Sequence, residues 1–436
     1  MTFEEMEKEL AMTNSVEKDV VLNVVKFVID NHKALEDHYF DVIDKDALPE
    51  RKVIDKHIYE YIDLSTYLSE LTKVSVVILT ANFFECQILN YNVFKDYGLK
   101  IQKLIDGINL FRKKYFRVID AYIMKINEYT ILHLHAPETG SNTPCGSMDL
   151  VRYVCSNKYL HPTCIISFGI CYGINYRENS LGDTLIANKI YPYSVGLKIK
   201  DGDWNIKCDD YILNLRECNA NMYKKIDEVI SGEKNSCPQI RFSKAITCNM
   251  ITGEAVVSDE NFKQESIEKA HGFDIKGGEM EGYGLAKECI YYGDIDCIIL
   301  KSICDWGACK NIDLYIKKFF VEKSICDYKG QIQAYTAYCA YTVLKKLFHE
   351  SIFSRKNLYD DVKEYIIKTY LSDAYLQSEF LEKGIIEFLK CNEMIDETVT
   401  PESMRVLIKS IVNHMLNDQI FRENITEGIL GYVFII

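Results

Sequence analysis

Val74-Ser75-Val76-Val77-Ile78-Leu79-Thr80 runs directly into Ala81-Asn82-Phe83-Phe84-Glu85-Cys86. The first seven residues form a short, unbroken apolar run rich in β-branched side chains, the pattern of a strand buried on both faces. The next six make a turn that carries a carboxylate. Runs of the same kind recur at 129–135 (YTILHLH), 164–170 (CIISFGI), 184–187 (TLIA), 245–251 (AITCNMI) and 297–303 (CIILKSI). Helical stretches separate several of them, as at 147–157 and 279–292. Strands alternating with helices predict an α/β domain, with a central mixed, largely parallel twisted sheet flanked by helices. In such sheets ligands bind beyond the carboxyl ends of the strands. Residues at the ends of these runs therefore matter most.

The flanks read differently. Val20, Val24, Phe27, Val28 and Leu35 recur at helical spacing. Pro49 marks a turn, and DKHIYEYIDLSTYLSEL (55–71) follows with a second amphipathic pattern. Near the other end, Thr400-Pro401-Glu402 has the capping hydroxyl, early proline and first-turn acid of a helix start. Met404, Leu407, Ile408, Ile411, Val412, Met415 and Leu416 then make one apolar stripe, suited to a helical core or to docking a partner. The expected organisation is a helical extension over 1–72, an α/β catalytic domain over 73–348 and a helical domain over 349–436.

Composition sets bounds. The 436 residues carry 51 Lys+Arg and 64 Asp+Glu, a formal net charge of −13, with 48% apolar residues. Those values fit a globular protein and not a general nucleic-acid binder, which needs a positive field to meet phosphates. The 16 cysteines form no CxxC pair and often sit in strand-like runs, as Cys164 and Cys297 do, where a free thiol behaves as a small hydrophobe. MTFEEMEKEL lacks the basic-then-apolar pattern of a signal peptide, and no run is long enough to span a bilayer. A soluble cytoplasmic protein with no membrane partner is expected.

Three acids stand at or just past buried strands: Glu85, Glu281 in GGEMEGYGLA, and Asp305 at the end of CIILKSICD. Desolvating acids at the ligand-facing edge of a sheet is expensive without a reason. Such a trio suits cleavage of an N-glycosidic bond to a purine. The base must take a proton, the sugar must tolerate oxocarbenium-like charge, and a nucleophile must be aimed at the anomeric carbon. Asp305, beside apolar Ile303 and Trp306, is the expected acid. Glu85 would orient water. Glu281 would bind ribose hydroxyls, with Met280 packed on the sugar. His133 and His135 share a strand face, but no third ligand is evident and no metal or other cofactor is expected. Arg112, Lys113, Lys114 and Arg117 form a basic cluster that could attract a polyphosphate.

Four segments carry a resemblance: 74–85, 165–187 (ISFGICYGI…LGDTLIA), 251–257 (ITGEAVV) and 279–305 (EMEGYGLA…KSICD). In order and spacing they resemble the superfamily of purine nucleoside phosphorylases and methylthioadenosine/S-adenosylhomocysteine nucleosidases. SICDWGACKN and the QIQAYTAYCAYTVLKKL stretch resemble its branch of immune-effector domains. The resemblance implies Glu85 as the water-activating glutamate, Met280 and Glu281 as the ribose-binding pair, and Asp305 as the purine-protonating aspartate. It implies substrate contacts at Gly169, Tyr172 and Val256 as well, and Glu279 together with Ser141 and Thr143 of the small-residue loop 140–147 are further expected substrate contacts. Tyr172 stands where the family's GxxGG turn has glycine, and Val256 stands where nucleosidases place an aromatic. The expected function is hydrolysis of an adenine nucleoside or nucleotide by a homo-oligomer, regulated through a protein docked on its terminal helices, as a nucleotide-depleting effector in antiviral defence. The alternatives are a phosphate-dependent phosphorylase, with the Gly140–Ser147 loop as an anion cradle, and a nucleotide-sensing module without turnover.

Overall fold

The computed structural model describes residues 15–44, 57–108, 118–136, 140–157, 159–193, 197–200, 203–206, 211–231, 244–270, 273–293, 295–307 and 327–355. Pro49, the basic cluster at 112–117 and the helical stripe at 404–416 lie outside them. The chain opens with α1 (Ser15–Phe40), β1 (Tyr59–Ile62), α2 (Leu64–Leu71), β2 (Val74–Thr80) and α3 (Phe83–Tyr97). Next come β3 (Ile101–Leu104), β4 (Asp120–Ile126), β5 (Tyr129–His135), α4 (Ser147–Ser156), β6 (Cys164–Gly173) and β7 (Thr184–Pro192). A hairpin of β8 (Leu197–Lys200) and β9 (Asp203–Ile206) stands off the main sheet. Then follow β10 (Leu213–Asn214), α5 (Leu215–Cys218), α6 (Ala220–Ser231), β11 (Ala245–Thr252) and α7 (Glu260–Lys269). The described part closes with β12 (Ile275–Glu279), α8 (Gly282–Tyr292), β13 (Asp296–Asp305) and α9 (Tyr328–His349).

All seven residues of β2 are buried, as a two-faced central strand requires. The sheet is mixed, as expected, but part of it closes on itself instead of forming a largely parallel twisted sheet. β6 pairs with β13, β13 with β7, β7 with β11, β11 with β12, and β12 back with β6, so five strands close a ring. A wing of β2, β5, β4, β3 and β1 extends from the other half of β6. Parallel pairs (β2 with β5 and β6, β6 with β13) are mixed with antiparallel ones (β13 with β7, β12 with β6). Closure turns on Gly169. Along one edge, β6 pairs with β2 up to Ser167 and with β12 from Tyr172. Gly169, between them, has φ 151°, a conformation that favours glycine.

Helix was expected through residue 72, but Tyr59–Ile62 is instead a strand parallel to β3 at the edge of the wing. Its pattern of one buried residue in four was too short to separate from the helix that follows. Helix α1 buries Val20, Val24, Val28 and Leu35 in the main core, as their spacing predicts. Among the described residues no helix is long and apolar enough to cross a membrane.

Candidate active site

Beyond the carboxyl ends of β2, β6, β11, β12 and β13 lies a cleft of about 180 Å³. Glu85, Glu281 and Asp305 all line it, together with Tyr172, Val256, Glu279 and Met280. Three distant stretches of chain thus deliver their carboxyls to one place.

Local structure fixes each acid. Asn82 caps α3, accepting a hydrogen bond from the Phe84 amide at 2.8 Å, and Glu85 closes the reciprocal half of a capping box. Its Oε2 accepts from the amides of Ala81 (2.9 Å) and Asn82 (2.8 Å). Its Oε1 accepts from the Ile170 amide at 2.8 Å. A Cβ on Gly169 would fall 1.9 Å from that Oε1, so only glycine lets β6 approach this closely. Glu281 stands at the start of α8, where Oε1 accepts from the Gly140 amide at 3.2 Å. Glu279 caps the same helix, its Oε2 accepting from the amides of Glu281 (2.8 Å) and Gly282 (2.7 Å). Asp305 ends β13, where a register shift between Ile303 and Asp305 interrupts the pairing with β6. Such bulges re-aim a side chain. The Gly307 amide, at φ 63°, donates to Asp305 Oδ1 at 2.7 Å.

Lys301 joins two of these carboxylates. Its ammonium is fully buried, 3.1 Å from Glu281 Oε2 and 3.7 Å from Glu85 Oε1. Burial alone would strip its charge, but Glu85, Glu281 and Glu279 outweigh that and hold it firmly cationic. Burial pushes the Glu85 carboxyl above the usual range, against the pull of Lys301. Burial, aided by Glu281, pushes Glu279 to about 7.

No protein-family profile matches the chain. Among curated proteins, a death domain-containing ATP nucleosidase from Amphimedon queenslandica is 24% identical over 254 residues, covering 52% of this chain and 44% of that protein. The chain therefore spans less than half the length of that relative. Solved structures similar to this chain include the futalosine hydrolase of Helicobacter pylori, at 14% identity and a TM-score of 0.43, covering 64% of this chain and 98% of that one. The 5′-methylthioadenosine/S-adenosylhomocysteine nucleosidase of the same organism is 15% identical with a TM-score of 0.44, covering 64% and 99%.

Of the further residues expected to contact substrate, three stand behind the cleft wall. Gly169 makes room for Glu85, as described. Ser141 Oγ donates to the Met280 carbonyl (3.0 Å) and accepts from the Gly284 amide (3.0 Å), so it fixes the turn that bears Glu281. Thr143 lies in the same loop, its carbonyl accepting from the Gly146 amide at 2.7 Å. That loop does not form the anion cradle considered above. The amides of Gly140, Asn142, Cys145, Gly146 and Ser147 already donate to Glu281, Glu254, Asp149, Thr143 and Gly140. Tyr172 pairs across from both Gly278 and Asp305, and its phenol lies over Gly278, where a Cβ would meet it at 2.1 Å. The ring in place of the family's glycine is thus accommodated by a second glycine on β12. Val256 sits at the mouth, 62% exposed.

His133 and His135 are bonded within the protein. His133 lies 2.8 Å from both Thr80 Oγ1 and Asn90 Oδ1, and His135 lies 3.1 Å from Thr80 Oγ1. Among the described residues no group of three or more His, Cys, Asp or Glu is placed to hold a metal. Sequence reasoning missed Lys301, Lys329 and Gln333. Lys301 was written in CIILKSI as the one charge in an apolar strand, a sign that a buried partner must exist. Lys329 and Gln333 reach the cleft from the first turns of α9, far along the chain from the motifs.

Proposed function

We propose that this protein uses water to cleave the N-ribosidic bond of an adenine nucleotide, releasing free adenine. The observation that carries the reading is the convergence of Glu85, Glu281 and Asp305 on one cleft around a buried lysine. In this reading Asp305 donates a proton to the departing base, and Glu281 with Met280 grips the ribose. Glu85 accepts the proton of the attacking water. Carboxylates facing the sugar favour the positive charge that grows on it in the transition state.

Water is favoured over phosphate for a local reason. A phosphate attacking from the turn after β2 would need free amides or an unclaimed cation at that turn. The amides of Ala81 and Asn82, at the turn where it would be cradled, already donate to Glu85. Lys301 is held by Glu85 and Glu281. A phosphate there would meet a carboxylate instead of a donor.

ATP is the proposed substrate. The Amphimedon queenslandica relative is named for ATP, and Lys329 brings a cation to a cleft whose charged lining residues are otherwise acids, where it would meet the 5′-phosphates. Depletion of nucleotides as a defence response, by a homo-oligomer governed through its terminal helices, completes the proposal. The test is to incubate purified protein with ATP, AMP, adenosine and methylthioadenosine and to measure free adenine by chromatography. Adenine is expected first and fastest from ATP. Preference for methylthioadenosine would overturn the nucleotide assignment and leave the reaction class standing.

A further inference from the structure

We infer that Lys263, on a helix outside the motifs, is a positioning residue for the acid Asp305. The Lys263 side chain is almost wholly buried, yet it comes from ENFKQESIEK, one of the most polar helices of the protein. Its ammonium donates to the Trp306 carbonyl at 2.9 Å and to the Ile174 carbonyl at 3.4 Å, and pairs with Glu260 at 2.7 Å. One cation therefore ties α7 to the turns that leave β6 and β13. The second turn is the one that presents Asp305.

The link to the acid is short. Trp306 lies between Asp305 and Gly307, and the Gly307 amide is the 2.7 Å donor to Asp305 Oδ1. Gly307 is wedged between the Tyr172 ring and the Lys263 stem, where a Cβ would meet them at 2.9 and 3.4 Å. From the far side, the Trp306 indole donates to Asn23 Oδ1 of α1 at 3.2 Å. Holding the Trp306 carbonyl thus holds the peptide that orients the carboxyl. A buried ammonium is costly unless its hydrogen bonds are made, and here the two carbonyls and Glu260 make them. A misplacement of about 1 Å at a reacting group can cost ~100-fold in rate.

Given Asp305 as the acid, the reading on which this rests, Lys263 matters only where the leaving base needs a proton. Adenine methylated at N7 already carries positive charge and leaves as a neutral base without one. We expect Lys263→Met to lower kcat on ATP by at least ~10-fold, with KM little changed, and to retain nearly the wild-type rate on N7-methyl-ATP after subtraction of spontaneous decay. Adding Lys263→Met to Asp305→Asn should lower the rate on ATP little further, because residues acting through one group are not additive. A lysine needed only for folding would lower both substrates equally, and that result, or full activity on ATP, overturns the inference. Should Lys263→Met fail to fold, Lys263→Arg keeps the charge but shifts it. It should show the same selectivity in weaker form, and equal losses on both substrates would again overturn the inference. Absence of adenine release by the wild type from both substrates would instead sink the hydrolase reading, and the role of Lys263 with it.

Discussion

Asp305→Asn is expected to lower adenine release by at least ~100-fold, the usual scale for a general acid, with the melting temperature near that of the wild type. The substitution nearly preserves shape. The amide oxygen can still accept the 2.7 Å bond from Gly307, so the turn has no reason to move. What is lost is the proton for the departing base. Because an anionic purine leaves poorly, the deficit should lie in kcat. Steady-state kinetics with a thermal-melt control checks this. Activity within tenfold of the wild type in a folded protein would remove Asp305 from the role of acid.

Lys301→Met should produce the largest loss of stability. The ammonium is completely buried and its two nearest carboxylates, Glu85 and Glu281, are themselves buried. Removing one partner of a buried ion pair typically costs about 3–5 kcal/mol, because the remaining charge is left uncompensated. Here the stranded groups can take up protons, which gives the loss a sign with pH. Glu85 and Glu279 already stand above the ordinary carboxyl range through burial. Without Lys301 they stand higher still. A carboxyl whose folded pKa is raised above its unfolded value imposes no penalty below the unfolded value, and the penalty grows as pH rises through the folded one. The variant should therefore be nearest to wild-type stability near pH 5 and weakest near pH 8. Adding Glu281→Gln should recover part of the loss at the higher pH. Chemical denaturation at the two pH values reads both effects. A loss independent of pH would show that Lys301 does not hold these carboxylates in their charged state.

Much of the fold was legible because buried parallel strands announce themselves. β2 and β5 fall on the residues that the apolar runs mark, 74–80 and 129–135. The closure of the sheet was not legible. It depends on a backbone bend at Gly169 and on β12, whose IKGGE sequence has too little apolar content to read as a strand. β1 was hidden because four residues cannot display a period against a following helix. The acids were found because each stands at, or a few residues beyond, the end of a strand. Lys301 and Lys263 were missed for opposite reasons. Lys301 was lost inside a run read only for its hydrophobicity. Lys263 was lost on a helix so polar that burial of any one residue leaves no trace in the pattern.

Turnover of ATP in oxygen-18-labelled water, with inorganic phosphate present, is the most direct test of the proposed chemistry. The expected result is free adenine in equal amount with a ribose triphosphate labelled at the anomeric oxygen. An unlabelled ribose 1-phosphate derivative would reveal phosphate as the nucleophile. Bound ATP that is never cleaved would contradict the placing of three catalytic carboxyls around one bond.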